Sequence, residues 1–134
     1  MRLLGVDLGR SRTGLALSDP HEVACSPLEV LEERNEEQLL QKIMQVAEEH
    51  DVAQIVVGLP RPLSGGTNPQ YEGVLVFVEA LTGRSPVPVV TWDERFTSKL
   101  AERGRSRRRP QDSVAACYIL QSYLDSRASR RRDE

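Results

Sequence analysis

Aromatic residues are scarce in this chain: one Trp, three Tyr and two Phe among 134 residues. A surface that stacks successive bases of a single strand needs an aromatic platform, and a 4% aromatic content does not supply one. Only two histidines occur, His21 and His50. They stand far apart on expected loop positions, so neither a His/Cys zinc cluster nor a Ser-His-Asp arrangement is legible. The two cysteines, Cys25 and Cys117, lack metal-ligand spacing. Each has apolar neighbours and reads as a reduced core residue of a cytoplasmic protein. No apolar stretch approaches the ~20 residues that span a bilayer, so no membrane partner is expected. An acid at position 7, inside the first apolar run, does not fit a signal peptide. Repeats, linkers and low-complexity stretches are lacking ahead of the C-terminal tail.

What is present suits a globule with a real core. Hydrophobic residues make up 39% and charged residues 28%, and a chain of this length buries roughly two-thirds of its unfolded surface. The expected organisation is one domain over residues 1–126 and a basic, mobile tail over 127–134. The net charge of -2 hides an asymmetry: residues 1–90 hold 7 Lys/Arg against 13 Asp/Glu, whereas residues 91–134 hold 11 against 7. The late cations cluster at Arg103, Arg105, Arg107, Arg108 and Arg109, and again at Arg127, Arg130, Arg131 and Arg132. Guanidinium forks match phosphate oxygens; the plain alternative is a solvated loop and a frayed end.

Five extended segments are expected: Leu3–Leu8, Leu15–Ser18, Ala24–Leu31, Gln54–Val57 and Val87–Trp92. Asn35 and Gln38 resemble a capping box ahead of the stripe Leu39, Leu40, Ile43, Val46 and Ala47. Arg61–Gln70, rich in Pro, Gly and Ser, reads as a loop. Tyr71, Val74, Leu75, Val78 and Leu81 form a second stripe. A short helix is expected over Thr97–Arg103, with Gly104 as its stop. A last helix starts at Asp112 and carries Ala115, Ala116, Ile119, Leu120 and Tyr123 on one side. Three leading strands followed by alternating helices and strands predict an α/β fold, a mixed sheet covered by helices.

Three acids fall on separate elements of that plan. Asp7 lies in a run that reads as a central strand buried on both faces, where a carboxylate is costly unless a cation or donors meet it. Asp93 and Glu94 end a strand, and adjacent strand residues point to opposite faces, so only one of them should share a face with Asp7. Asp112 is on the apolar side of its helix, although Pro110-Gln111-Asp112-Ser113 also suits a plain N-cap. Hard carboxylate oxygens in twos or threes, with a phosphate, satisfy magnesium. Paired ions can stabilise both the attacking and the leaving oxygen of a phosphodiester.

Four stretches, in order, resemble the motifs of the YqgF family. They are Val6 to Asp19, Val57-Gly58-Leu59-Pro60, Asp93-Glu94-Arg95-Phe96-Thr97-Ser98, and Asp112 to Ala116 with Ile119 to Leu124. The resemblance spans roughly Leu3 to Asp125. It implies an RNase-H-like mixed five-stranded sheet with helices on both faces, related to Holliday-junction resolvases of the RuvC type. It further implies a nuclease for pre-16S ribosomal RNA maturation, with Asp7, Glu94 and Asp112 holding Mg2+ or Mn2+ and Asp93 the alternative to Glu94. Arg12, Arg95, Thr97 and Ser98 match motif positions that bind or orient phosphate, and Arg107, Arg108 and Arg109 extend that basic surface. The expected partners are pre-ribosomal RNA or structured DNA, and the ribosomal small subunit, with the chain a monomer or homodimer.

Two other classes compete. Asp7-Leu8-Gly9 with Gly14 also resembles the phosphate turn of actin-like and sugar-kinase ATPases, but those enclose the nucleotide between two lobes and this length supplies one. A non-catalytic nucleic-acid scaffold would bind with strong salt dependence and cut nothing.

Overall fold

The computed structural model describes residues 1–96 and 112–133. Its strands are β1 (Arg2–Asp7), β2 (Thr13–Ser18), β3 (Cys25–Leu31), β4 (Val52–Leu59) and β5 (Val89–Asp93). Helix α1 (Glu36–Glu49) precedes β4 and α2 (Pro69–Arg84) follows it. A 3-10 turn over Glu94–Phe96 ends β5, and α3 (Asp112–Asp133) closes the chain. The sheet order is β3-β2-β1-β4-β5. The pairs β1–β2 and β2–β3 are antiparallel, and β1–β4 and β4–β5 are parallel. This is the expected mixed five-stranded sheet.

Strand alternation sorts β1 into two layers. Leu4 and Val6 pack with Leu40, Ile43, Val74 and Phe77 of α1 and α2. Leu3 packs with Ala116, Leu120 and Leu124 of α3 on the other face. Helices therefore cover both faces, and a central strand apolar on both sides is the sequence consequence.

The helix starts follow from side-chain caps. Asn35 accepts the Gln38 backbone N–H at 3.0 Å, and all five residues of the expected α1 stripe are buried. Asn68 accepts the Tyr71 backbone N–H at 2.8 Å, with Pro69 in the first turn, where its missing donor costs nothing. The loop expected to reach Gln70 thus ends two residues sooner. The buried face of α2 is Val74, Phe77 and Leu81, while Leu75 is 39% exposed. One step along a helix turns the side chain by ~100°, and the larger Phe77 takes the inward place expected for Leu75. Strand β4 outruns its expected span because Val52 pairs with Arg2 and Leu59 with Asp93.

Two contacts set the direction of α3. Ile119 lies against Gly58 near the end of β4, and Tyr123 donates its hydroxyl to Gln54 Oε1 at 3.2 Å, four residues earlier in that strand. The helix therefore runs antiparallel to β4 and β1, and it starts over their carboxyl ends. Gly5 permits the close approach: a β-carbon there would stand 2.8 Å from Leu120 Cβ and 3.1 Å from the Ala116 carbonyl oxygen. Leu124 is buried and Tyr123 half-buried, so the inward stripe ends on Leu124.

The boundary expected after Ser126 falls inside α3, which runs on to Asp133. Arg127 Nη1 donates to Glu22 Oε1 at 2.8 Å, and its guanidinium carbon stands 5.6 Å from the Tyr123 ring centroid. The expected helix over 97–103 lies outside the described residues. Among the described residues no helix is long and apolar enough to cross a membrane.

Candidate functional site

β1 ends at Asp7, and parity decides where that residue points. Asp7 follows Leu3 and Gly5 at intervals of two, so its carboxylate is on the α3 side of the sheet. In β2 it is in register with Gly14. In β4, Val57 is in register with Val6, and the next residue is Gly58. Both neighbouring strands thus place a glycine beside Asp7.

β5 resolves Asp93 and Glu94 onto different surroundings. Val90 and Trp92 pack in the α3 layer, so Asp93 is out of phase with them. Arg95 surrounds Asp93. Its backbone N–H donates to Oδ1 at 2.9 Å, Nε to both oxygens at 3.1 and 3.0 Å, and Nη2 to Oδ2 at 2.7 Å. The Arg95 guanidinium holds the Asp93 carboxyl below the ordinary carboxylate range, with help from the Arg95 backbone N–H and nearby Arg61 and against the opposing push of burial. Glu94 opens the 3-10 turn, and its Cγ lies 3.3 Å from where a Gly58 β-carbon would stand, beside Ile119 of α3. The Glu94 side chain therefore leans over β4 on the face that carries Asp7.

The turn bearing Glu94 is tied to α3. Trp92 Nε1 donates to Ser122 Oγ at 3.0 Å, and Ser122 Oγ donates to the Phe96 carbonyl at 3.5 Å. The Trp92 ring stands 5.3 Å from Phe96 and 5.6 Å from Tyr123, centroid to centroid. Asp112 begins α3 at this same end of the sheet; its side chain lies outside the described residues. Among the described residues no three His, Cys, Asp or Glu side chains are grouped to hold a metal ion. Asp7 and Glu94 offer hard oxygens on one face, a donor set of the kind magnesium and manganese take.

The expected phosphate contacts divide. Arg12 is exposed and pairs with Glu32 at 3.4 Å. Its turn is tight because a β-carbon on Gly9 would meet the Arg12 carbonyl oxygen at 2.2 Å. Arg95 is occupied by Asp93. Thr97, Ser98, Arg107, Arg108 and Arg109 lie outside the described residues. Two cations passed over by the sequence reading stand near the site. Arg10 is exposed in the turn after Asp7 and lines a cleft with Gly9, Gln70 and Gly73. Arg61, after β4, lies over the Tyr71 ring at 5.7 Å. Their signal was position, in loops that follow the carboxyl ends of β1 and β4.

A mixed sheet of this order, with acids at strand ends beneath a final helix, defines the RNase-H-like fold of the RuvC-type resolvases. A solved structure described as T. thermophilus RuvC in complex with Holliday junction substrate superposes with a TM-score of 0.69 at 16% identity, covering 96% of each chain. The fowlpox virus Holliday junction resolvase does so with a TM-score of 0.55 at 13% identity, over 94% of this chain and 99% of that one. The family described as RuvX, Holliday junction resolvase, matches residues 1–126, and the chain belongs to it. A relative from Desulforudis audaxviator is 47% identical over 139 residues, covering 98% of this chain and 99% of its own. One from Symbiobacterium thermophilum is 41% identical over 138 residues, covering 97% and 96%. Both relatives carry the name "Putative pre-16S rRNA nuclease".

Proposed function

We propose that this chain is a nuclease that hydrolyses phosphodiester bonds with Mg2+ or Mn2+, acting in maturation of the 5′ end of pre-16S ribosomal RNA. One observation carries the chemistry: Asp7 and Glu94 share the α3 face of the sheet, each lying beside a glycine of β4 or β2. The names of the relatives support the RNA substrate. Asp7, Glu94 and Asp112 hold the cation. When bound, such an ion stabilises charge developing on the phosphate and favours an ionised water. The chain's own part is to fix the three carboxylates on rigid elements and to seat the backbone phosphates. Arg12 and Arg10, in the turn after β1, and Arg107, Arg108 and Arg109 meet flanking phosphates, which sets register without reading sequence. Arg95 acts at one remove, by holding the turn that presents Glu94. Water attacks in line, leaving a 5′-phosphate and a 3′-hydroxyl. The working partner is nucleic acid, encountered on the small ribosomal subunit.

The fold of the resolvase structures favours a second substrate, the four-way DNA junction. The test presents labelled pre-16S 5′ leader RNA, single-stranded DNA and a four-way junction to the protein in Mn2+, Mg2+ and EDTA. Asp7→Asn and Glu94→Gln run alongside. The expected result is metal-dependent cutting of the RNA that falls by more than about 100-fold in either variant, since even outer-shell changes at metal sites cost 10–100-fold. Full cutting by Asp7→Asn with its fold intact would sink the proposal. Preferential cutting of the junction would shift it to the resolvase substrate.

A further inference from the structure

Cys25 and Cys117 are 92 positions apart in the chain, yet their Sγ atoms stand 2.8 Å from each other. A disulfide bond is ~2.05 Å long, and atoms of this size rest unbonded at ~3.5 Å or more. The pair is thus already inside ordinary contact. The contact is reciprocal: Cys25 Sγ also lies 3.0 Å from the Cys117 carbonyl oxygen and Cys117 Sγ 3.3 Å from the Cys25 carbonyl oxygen, so each thiol's single hydrogen has a carbonyl or the other sulfur within reach. The frame around it is fixed as well. The Cys25 backbone N–H donates to Gln121 Oε1 at 3.2 Å, and Gln121 Nε2 donates to the Val23 carbonyl at 2.9 Å. The start of β3 and the second turn of α3 are clamped together on either side of two half-buried thiols.

We propose that Cys25 and Cys117 are a modification site, a reversible disulfide that ties edge strand β3 to α3 when a small-molecule disulfide is present as oxidant. It stands apart from the nuclease reading and holds whatever the substrate. The two sulfurs have unequal roles. The hydrogen bond from Cys25 draws the Cys117 thiol below its ordinary range, and the same contact, with burial, pushes the Cys25 thiol up. Cys117 therefore ionises first and attacks the oxidant. That step forms a mixed disulfide on Cys117 and releases one small thiolate. Cys25 then gives up its proton, its sulfur attacks Cys117 Sγ, and the second small thiolate leaves. Two protein thiols and one oxidant disulfide become one protein disulfide and two small thiols.

The bond stabilises rather than inactivates. Because the sulfurs need move by less than ~1 Å, α3 keeps its seat on the sheet and still begins at the same strand ends. Closing a loop of this length removes much unfolded-state freedom.

The experiment uses the full chain with glutathione disulfide, followed by dithiothreitol. The expected result is that titratable thiols in denaturant fall from two to none in a monomer carrying no adduct, with a peptide map joining Cys25 to Cys117. The melting temperature should rise by about 10 °C and return on reduction. Cys25→Ala should stall at a glutathione adduct on Cys117, Cys117→Ala should keep its one thiol, and neither should show the reversible rise in melting temperature. In the wild type, two thiols surviving the oxidant, a persistent glutathione adduct, a disulfide found only between chains, or an unchanged or lowered melting temperature would each overturn the proposal. The wild-type readings decide the matter even where a variant fails to fold.

Discussion

Gly58 and Glu94 fit one another: the space a β-carbon would fill on Gly58 is taken by Glu94, with Cγ 3.3 Å away, and by Ile119, with Cδ1 2.5 Å away. A strand residue is thus kept bare so that an acid from the turn after the next strand can lie across it. Gly58→Ala should force Ile119 or Glu94 aside, and Ile119 is only 2% exposed, so it has little room to turn. Overpacking of this kind costs about 1–3 kcal/mol. The displaced carboxylate should also slow cleavage by about 10-fold or more, since small misplacements at a reacting centre are expensive. Thermal melts and single-turnover rates check the two parts, and a variant equal to wild type in both would refute the fit.

Gly5 poses a harder case of the same problem. Its missing β-carbon faces Leu120 Cβ at 2.8 Å and the Ala116 carbonyl oxygen at 3.1 Å. Neither is the free end of a flexible side chain, so Gly5→Ala should lift α3 from β1. A loss of about 3 kcal/mol is expected in denaturant titration, at the upper end for overpacking, with a larger loss than for Gly58→Ala.

Much of this was legible in the sequence, and the reasons are local. The α1 stripe and its Asn35 cap follow from a 3.6-residue period and a single side-chain hydrogen bond. The two-layer sheet follows from an apolar run that alternation divides between two cores. Parity also required that Asp93 and Glu94 diverge, but it did not say which faces Asp7; that needed the register of β5 against β4. The Cys25–Cys117 contact was invisible, because a pairing across 92 positions depends on how α3 docks on β3. The occupation of Arg95 by Asp93 was not legible either, because it depends on the geometry of the turn that follows β5.

That pair gives a pH dependence with a definite sign. The Asp93 carboxyl is held below its ordinary value chiefly by the Arg95 hydrogen bond. Its contribution to stability is therefore complete above about pH 4, the unfolded value, and is lost as pH falls through the lower folded value. Asp93→Asn keeps an oxygen for the Arg95 backbone N–H and removes the charge. The stability gap between wild type and this variant should be full at neutral pH and close progressively below about pH 4. A gap that persists unchanged to pH 2 would show that the ion pair is not its source.

The C-terminal cations are not equivalent. Arg127 already donates to Glu22 at 2.8 Å, and the Glu22 side chain is 19% exposed. Its charge is spent on the connection between β2 and β3, so Arg127→Ala should leave the salt dependence of RNA binding nearly unchanged and cost at most about 1 kcal/mol of stability. Deleting the residues after Asp125 also removes Arg130, Arg131 and Arg132. The slope of log binding constant against log salt should then shrink by up to about 3, since each phosphate contact contributes ~0.9 for a duplex and ~0.7 for a single strand. None of these residues belongs to β1, the turn after β5 or the start of α3, where the acids lie. Single-turnover cleavage at saturating enzyme should therefore stay at the wild-type rate while the half-saturating concentration rises. Fluorescence anisotropy over a salt series separates the two variants. A fall in the saturated rate would mean that the last turns of α3 serve the chemistry itself.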